Sequence, residues 1–219
     1  MDYQEILKTV DHTLLKTTAT WEQIRQVCDD GLHYGCASVC IPPSYVARAA
    51  EYLNGALPVC TVIGFPNGYN PTAVKVFEAK TCAEAGAGEL DMVVNLGWIK
   101  EGRYALVENE IRALCHETGR LVKVIIETCQ LTDDEKKRMC EVVSRSGAAF
   151  IKTSTGFSTG GATLDDIRLM RRYSDPALKV KAAGGIAGLD DAAAFLAAGA
   201  DRLGTSRIVA AVKALEQKA

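Results

Sequence analysis

The chain is expected to fold as a single-domain α/β protein, a closed (β/α)8 TIM barrel spanning residues 1–219. Three observations point there. Short apolar runs alternate with helical patterns eight times along the chain. Several runs are β-branched-rich and apolar on both faces, as strands covered by helices must be. No antiparallel hairpin signal separates them, and eight parallel strand–helix units suggest a closed barrel. A doubly wound open sheet is the alternative, weakened by the absence of G-x-G-x-x-G after the first strand. At 219 residues the chain is near the short end for such a barrel, so its loops must be lean.

The strands are read in order. They are DHTLL from Asp11, ASVCI from Ala37, PVCTVIGF from Pro58 and ELDMVVNL from Glu89, then VKVIIET from Val122, AFIKTST from Ala149, KVKAAGG from Lys179 and DRLGTS from Asp201. Helices fill the gaps. Thr20 with Gln23, Thr132 with Glu135, and Thr163 with Asp166 have the spacing of N-caps with a reciprocal partner. Pro43 and Pro71 sit where a first helical turn would start. Gly86, Gly119, Gly147 and Gly199 mark helix ends.

Composition narrows the function class. Hydrophobic residues at 48% and charged residues at 24% are ordinary for a globular protein. A net charge of -2 offers nothing to a nucleic acid or an anionic membrane. No apolar run approaches the roughly 20 residues of a membrane span. The start, MDYQEILKTVDHTLL, lacks a basic-then-apolar leader, so a cytoplasmic protein is expected. The eight cysteines are scattered without a C-x-x-C pair and read as small buried hydrophobes.

In a barrel of this class the site lies at the C-terminal ends of the strands. That rule selects Asp11 and Thr13, Cys40, Gly64 to Asn67, Asp91 and Asn95, Glu127, Lys152 with Thr155, Lys181 with Gly184 and Gly185, and Gly204 to Arg207. Lys123, Lys152 and Lys181 all lie inside apolar strands. Pointing outward, each would set a charge against helix backs, which is costly. Pointing inward, they would meet carboxylates and water. Lys152 and Lys181 fall on adjacent strands near the mouth, where like charge and desolvation both disfavour the ammonium form. A free amine there attacks a carbonyl to form a Schiff base. Asp91 supplies a counter-charge and a proton acceptor.

Glycines supply the second clue. Gly184–Gly185 follows strand seven and Gly204 to Ser206 follows strand eight, the two loops in which barrels frequently bind phosphate. Metal chemistry is disfavoured. The histidines are His12, His33 and His116; the last two fall near helix ends, and His12 has no histidine partner nearby. No metal and no other cofactor is expected.

The motifs DHTLL, GFPNG, LDMVVN, KVIIETC, FIKTSTGFSTGGAT, VKAAGGI and GADRLGTS resemble, in order and over nearly the whole chain, the deoxyribose-phosphate aldolases of the short bacterial type. The resemblance implies a class I aldolase that cleaves 2-deoxy-D-ribose 5-phosphate into D-glyceraldehyde 3-phosphate and acetaldehyde, in deoxynucleoside catabolism. It makes Lys152 the Schiff-base lysine, Lys181 the second lysine that depresses its pKa and joins proton transfer, and Asp91 the proton donor and acceptor. Asp11 would lie near the substrate hydroxyls, and Gly156, Gly184, Gly185, Gly204 and Ser206 in the phosphate loops. Thr13, Lys123 and Thr155 join them as substrate-binding candidates. A homodimer is implied. Two positions depart from the pattern: Ala187 and Gly188 follow GGI, and Arg207 follows GTS where a small hydroxyl residue is usual. Arg207 is expected to supply the charge that the strand-seven loop lacks. The competing readings are a phosphate-binding barrel isomerase or synthase with Asp91 as base, and a non-catalytic sugar-phosphate binder.

Overall fold

A computed structural model describes residues 2–217. Eight parallel strands close in sequence order: β1 (Val10–Thr13), β2 (Ser38–Ile41), β3 (Val59–Ile63), β4 (Glu89–Val93), β5 (Leu121–Ile125), β6 (Phe150–Lys152), β7 (Lys179–Ala183) and β8 (Arg202–Thr205). The β1–β8 ladder completes the ring, with Asp11 opposite Gly204. No helix among the described residues is long and apolar enough to cross a membrane.

The helices are α1 (Tyr3–Leu7), α2 (Trp21–His33), α3 (Val46–Leu53), α4 (Thr72–Glu84), α5 (Leu96–Lys100), α6 (Tyr104–Thr118), α7 (Asp133–Arg145), α8 (Leu164–Tyr173), α9 (Leu189–Ala197) and α10 (Ile208–Glu216). Thr132 and Glu135 exchange hydrogen bonds at the start of α7, and Gln23 accepts the Thr20 N–H at the start of α2. At α8 the reciprocity fails. Thr163 caps the Asp166 N–H, but the shorter Asp166 side chain pairs with Lys136 at 2.7 Å instead of reaching back. Gly86, Gly119, Gly147 and Gly199 all have positive φ at the ends of their helices.

Strand parity divides the side chains. Val39, Ile41, Leu90, Met92, Val122, Val124, Ile151, Val180 and Leu203 face outward into the apolar layer beneath the helices. The alternate residues face the barrel interior, and among them are Asp11, Glu89, Asp91, Lys123, Lys152, Lys181 and Arg202. Six cysteines are buried, as expected of small hydrophobes, but Cys115 is half-buried and Cys129 is exposed, and all eight are free thiols. His12 faces outward: its Nε2 is 3.8 Å from Asp30, and its buried Nδ1 has no partner among the described residues.

Candidate active site

The barrel interior holds a continuous ion network built by register. Asp91 pairs across the ladder with Lys123, and Lys152 with Lys181. Lys123 contacts Glu89 at 2.5 Å, Asp91 at 3.0 Å and Asp11 at 3.5 Å. Lys181 donates to Asp91 at 2.6 Å and to Asp11. Lys152 has one carboxylate partner, Asp91, at 2.7 Å. Arg202 closes the lower end on Asp11 at 2.6 Å and Glu89 at 3.5 Å. Four cationic side chains therefore face three carboxylates, and all but Arg202 are nearly or fully buried.

This arrangement corrects one sequence expectation. Lys181 is not driven toward the neutral amine. Burial alone would lower it, but Asp11 and Asp91 outweigh burial and hold its ammonium above the ordinary lysine range. Burial would likewise raise Asp91, yet Lys123, Lys152 and Lys181 hold its carboxyl well below the usual range. The network has one cation too many. Lys152 is the lysine of the network with fewest carboxylate contacts and the one that reaches the mouth.

Above the network opens a cavity of about 300 Å³. Lys152 forms part of its wall, with Thr13, Thr155, Gly156, Gly184, Gly185, Gly204, Ser206 and Arg207. Asp11, Asp91, Lys123 and Lys181 are fully buried beneath it and do not line it. Among the described residues the wall contains no carboxylate. Its charged members are Lys16, Lys152 and Arg207, a cationic mouth on a chain of net charge -2. Gly184 and Gly185 take φ of 79° and 80°, a region open to glycine. Gly204 leaves little room for a side chain: a Cβ there would lie 3.0 Å from Cε of Lys181. The α10 helix starts directly after Ser206 and Arg207 without a side-chain cap, so its first-turn N–H groups are open to an anion.

Several contributors escaped sequence reading. Lys16 sits three residues beyond β1, where the strand-end rule could have found it. Arg202 and Glu89 share strand parity with Gly204 and Asp91, which was the available signal. Cys60 Sγ donates to Asp91 at 3.2 Å and accepts from Lys123 at 3.3 Å, so it serves the network as well as packing. Cys40, Cys60 and Asp91, like Asp11, Cys60 and Glu89, are close enough to share an ion. Ammonium groups already occupy those carboxylates, so the donor sets do not suit a cation.

Comparison with known proteins agrees with this geometry. The profile of the DeoC/LacD family aldolases matches residues 5–207. A deoxyribose-phosphate aldolase of Streptococcus pyogenes is 57% identical over 216 residues, covering 97% of this chain and 96% of the relative. Among solved structures, the aldolase QR15 is 38% identical with a TM-score of 0.93, covering 98% of this chain and 97% of that one. The tetrameric deoxyribose phosphate aldolase of Aeropyrum pernix is 32% identical with a TM-score of 0.91, covering 100% of this chain and 94% of that one. With its lysine–carboxylate barrel and its cationic mouth, the chain belongs to the DeoC/LacD family of aldolases.

Proposed function

We propose that the protein cleaves 2-deoxy-D-ribose 5-phosphate reversibly to D-glyceraldehyde 3-phosphate and acetaldehyde through a Schiff base on Lys152. One observation carries the reading: Lys152 is the member of the buried ion network that reaches the cavity, and it has the fewest carboxylate partners.

The chemistry follows from the positions. The Lys152 amine adds to the aldehyde carbon of the open-chain sugar, and loss of water leaves a protonated imine. Lys181, held cationic, is the acid at hand for that water. The imine accepts the electron pair of the C2–C3 bond as the C3 hydroxyl loses its proton, and glyceraldehyde 3-phosphate departs. The enamine left on Lys152 takes a proton at carbon from Lys181, whose ammonium Asp91 holds in place, and hydrolysis frees acetaldehyde. Covalent catalysis divides one difficult carbanion-forming step into easier ones. Gly156, Gly184, Gly185, Gly204, Ser206 and Arg207 receive the phosphate, with Lys16 beside them. Thr13 and Thr155 flank the sugar. Asp11 and Lys123 act from below, by fixing Asp91 and Lys181.

The isomerase or synthase reading, with Asp91 as free base, fits less well. A general base works best near the operating pH, and three lysines hold Asp91 well below the usual carboxylate range.

We assign the enzyme to the cytoplasm, consistent with its unbridged thiols, and to a homodimer. The exposed Tyr69, Val74 and Phe77 supply an apolar face on and beside α4. Phe77→Glu is expected to give monomers by light scattering. Borohydride added with acetaldehyde tests the mechanism. Intact mass should show one ethyl group, mapped to Lys152. An active enzyme without that adduct would remove the covalent mechanism.

A further inference from the structure

We propose that Glu127 is a positioning residue that makes the Thr155 hydroxyl an acceptor for the sugar hydroxyl that loses its proton when the C2–C3 bond breaks. The inference rests on the aldolase reading and adds a residue to it.

Glu127 lies two residues beyond β5, with φ 53° and ψ 65°. This left-handed region is uncommon for glutamate. Among the described residues the other non-glycine residue at positive φ is Asn54, an asparagine ending α3, where that geometry is ordinary. Glu127 is instead buried, at 3% exposure. Strained backbone persists where the surroundings over-determine it, and here Thr155 is the surrounding that matters. Its N–H donates to both Glu127 oxygens, at 3.2 and 3.3 Å. Its Oγ1 donates to Glu127 Oε2 at 2.5 Å. The Phe157 N–H in turn donates to Thr155 Oγ1 at 3.1 Å.

A hydroxyl has one proton to donate and two lone pairs. The proton of Thr155 is committed to Glu127, and one lone pair to Phe157. One lone pair remains, on an oxygen whose proton a carboxylate is drawing away. Thr155 lines the same cavity as Lys152, and in this state it can only accept. The substrate hydroxyl at C3 is the group that must donate. As the bond breaks, the C3 proton passes to Thr155 Oγ1 and the Thr155 proton moves to Glu127. The C3–O pair closes the new carbonyl. The C2–C3 pair becomes the enamine double bond, and the iminium charge is neutralised. Glu127 returns its proton through Thr155 to water once the product has left.

The test separates cleavage from imine chemistry. Glu127→Gln keeps the shape but substitutes an NH2 that can donate to Oγ1 and reverse the hydroxyl. Thr155→Val removes the hydroxyl and leaves Glu127 in place. Each is assayed for cleavage of deoxyribose 5-phosphate, for borohydride trapping of acetaldehyde, and for deuterium uptake into the acetaldehyde methyl group. The last two pass through the imine and enamine but involve no C3 hydroxyl. The expected result is a loss of about 10²-fold in cleavage kcat with a smaller change in KM, while trapping and exchange persist. The double variant should be no worse than either single one, and Thr155→Ser should recover most of the Thr155→Val loss. The inference is overturned by unchanged cleavage kcat, or by cleavage and trapping falling together, which would make Glu127 a prop of the whole site. Absence of trapping in the unmutated enzyme would instead remove the aldolase reading itself.

Discussion

Lys152 and Lys181 donate to the same carboxylate oxygen of Asp91, at 2.7 and 2.6 Å. One oxygen thus holds the amine proposed to react and its neighbouring lysine in fixed relation, and neither lysine can be changed without the other feeling it.

Lys152→Met should lose activity by on the order of 10⁴-fold or more yet melt no lower than the unmutated protein. The substitution removes the surplus cation from the network and keeps an apolar stem of similar length. Calorimetry alongside a cleavage assay checks both halves.

Asp91→Asn should destabilise by about 3–5 kcal/mol, because it leaves buried ammonium groups without their shared partner. The pH dependence has a definite sign. Asp11 and Asp91 are depressed in the fold, so their contribution is present above the unfolded value of about 3.9 and is lost as pH falls through the folded values. Lys181 is raised, so its contribution is present below about 10.4 and is lost as pH rises through its folded value. Urea midpoints should be flat around neutrality and fall toward both extremes. A midpoint rising toward acid would contradict the ion network.

Gly204→Ala places a methyl group 3.0 Å from Cε of Lys181 and 3.1 Å from the Ala183 Cβ. Overpacking of this kind costs about 1–3 kcal/mol, so the fold should survive. The displaced ammonium should lower kcat by about 10²-fold.

Arg207→Ala and Lys16→Gln should each raise KM for the phosphorylated sugar about tenfold, the scale of one charged hydrogen bond. Unphosphorylated deoxyribose should be cleaved as before. Equal effects on both sugars would show that neither side chain reads the phosphate.

The residues themselves were highly legible at the level of units. All eight strands formed where the apolar runs lie, because the strand faces that pack beneath the helices are mostly apolar. Ends were less so. The run AFIKTST forms strand only over Phe150–Lys152, and Thr153 to Thr155 leave the ladder to build the loop that Glu127 holds. Nothing in KVIIETC announces that its glutamate adopts a left-handed backbone, since that is imposed by a partner 28 residues away.

The sequence pattern predicts a (β/α)8 barrel, lysines within β6 and β7, and glycine loops beyond those strands. Those follow from local pattern and strand parity. The resemblance already named Lys152 as the Schiff-base lysine; what the closed barrel adds is the number of carboxylates around each ammonium, and those carboxylates arrive from β1 and β4. The same closure sets Asp91 between three lysines, where burial and charge oppose each other and charge wins. Electrostatics of that kind are a sum over the whole barrel and have no counterpart in any single stretch such as FIKTST.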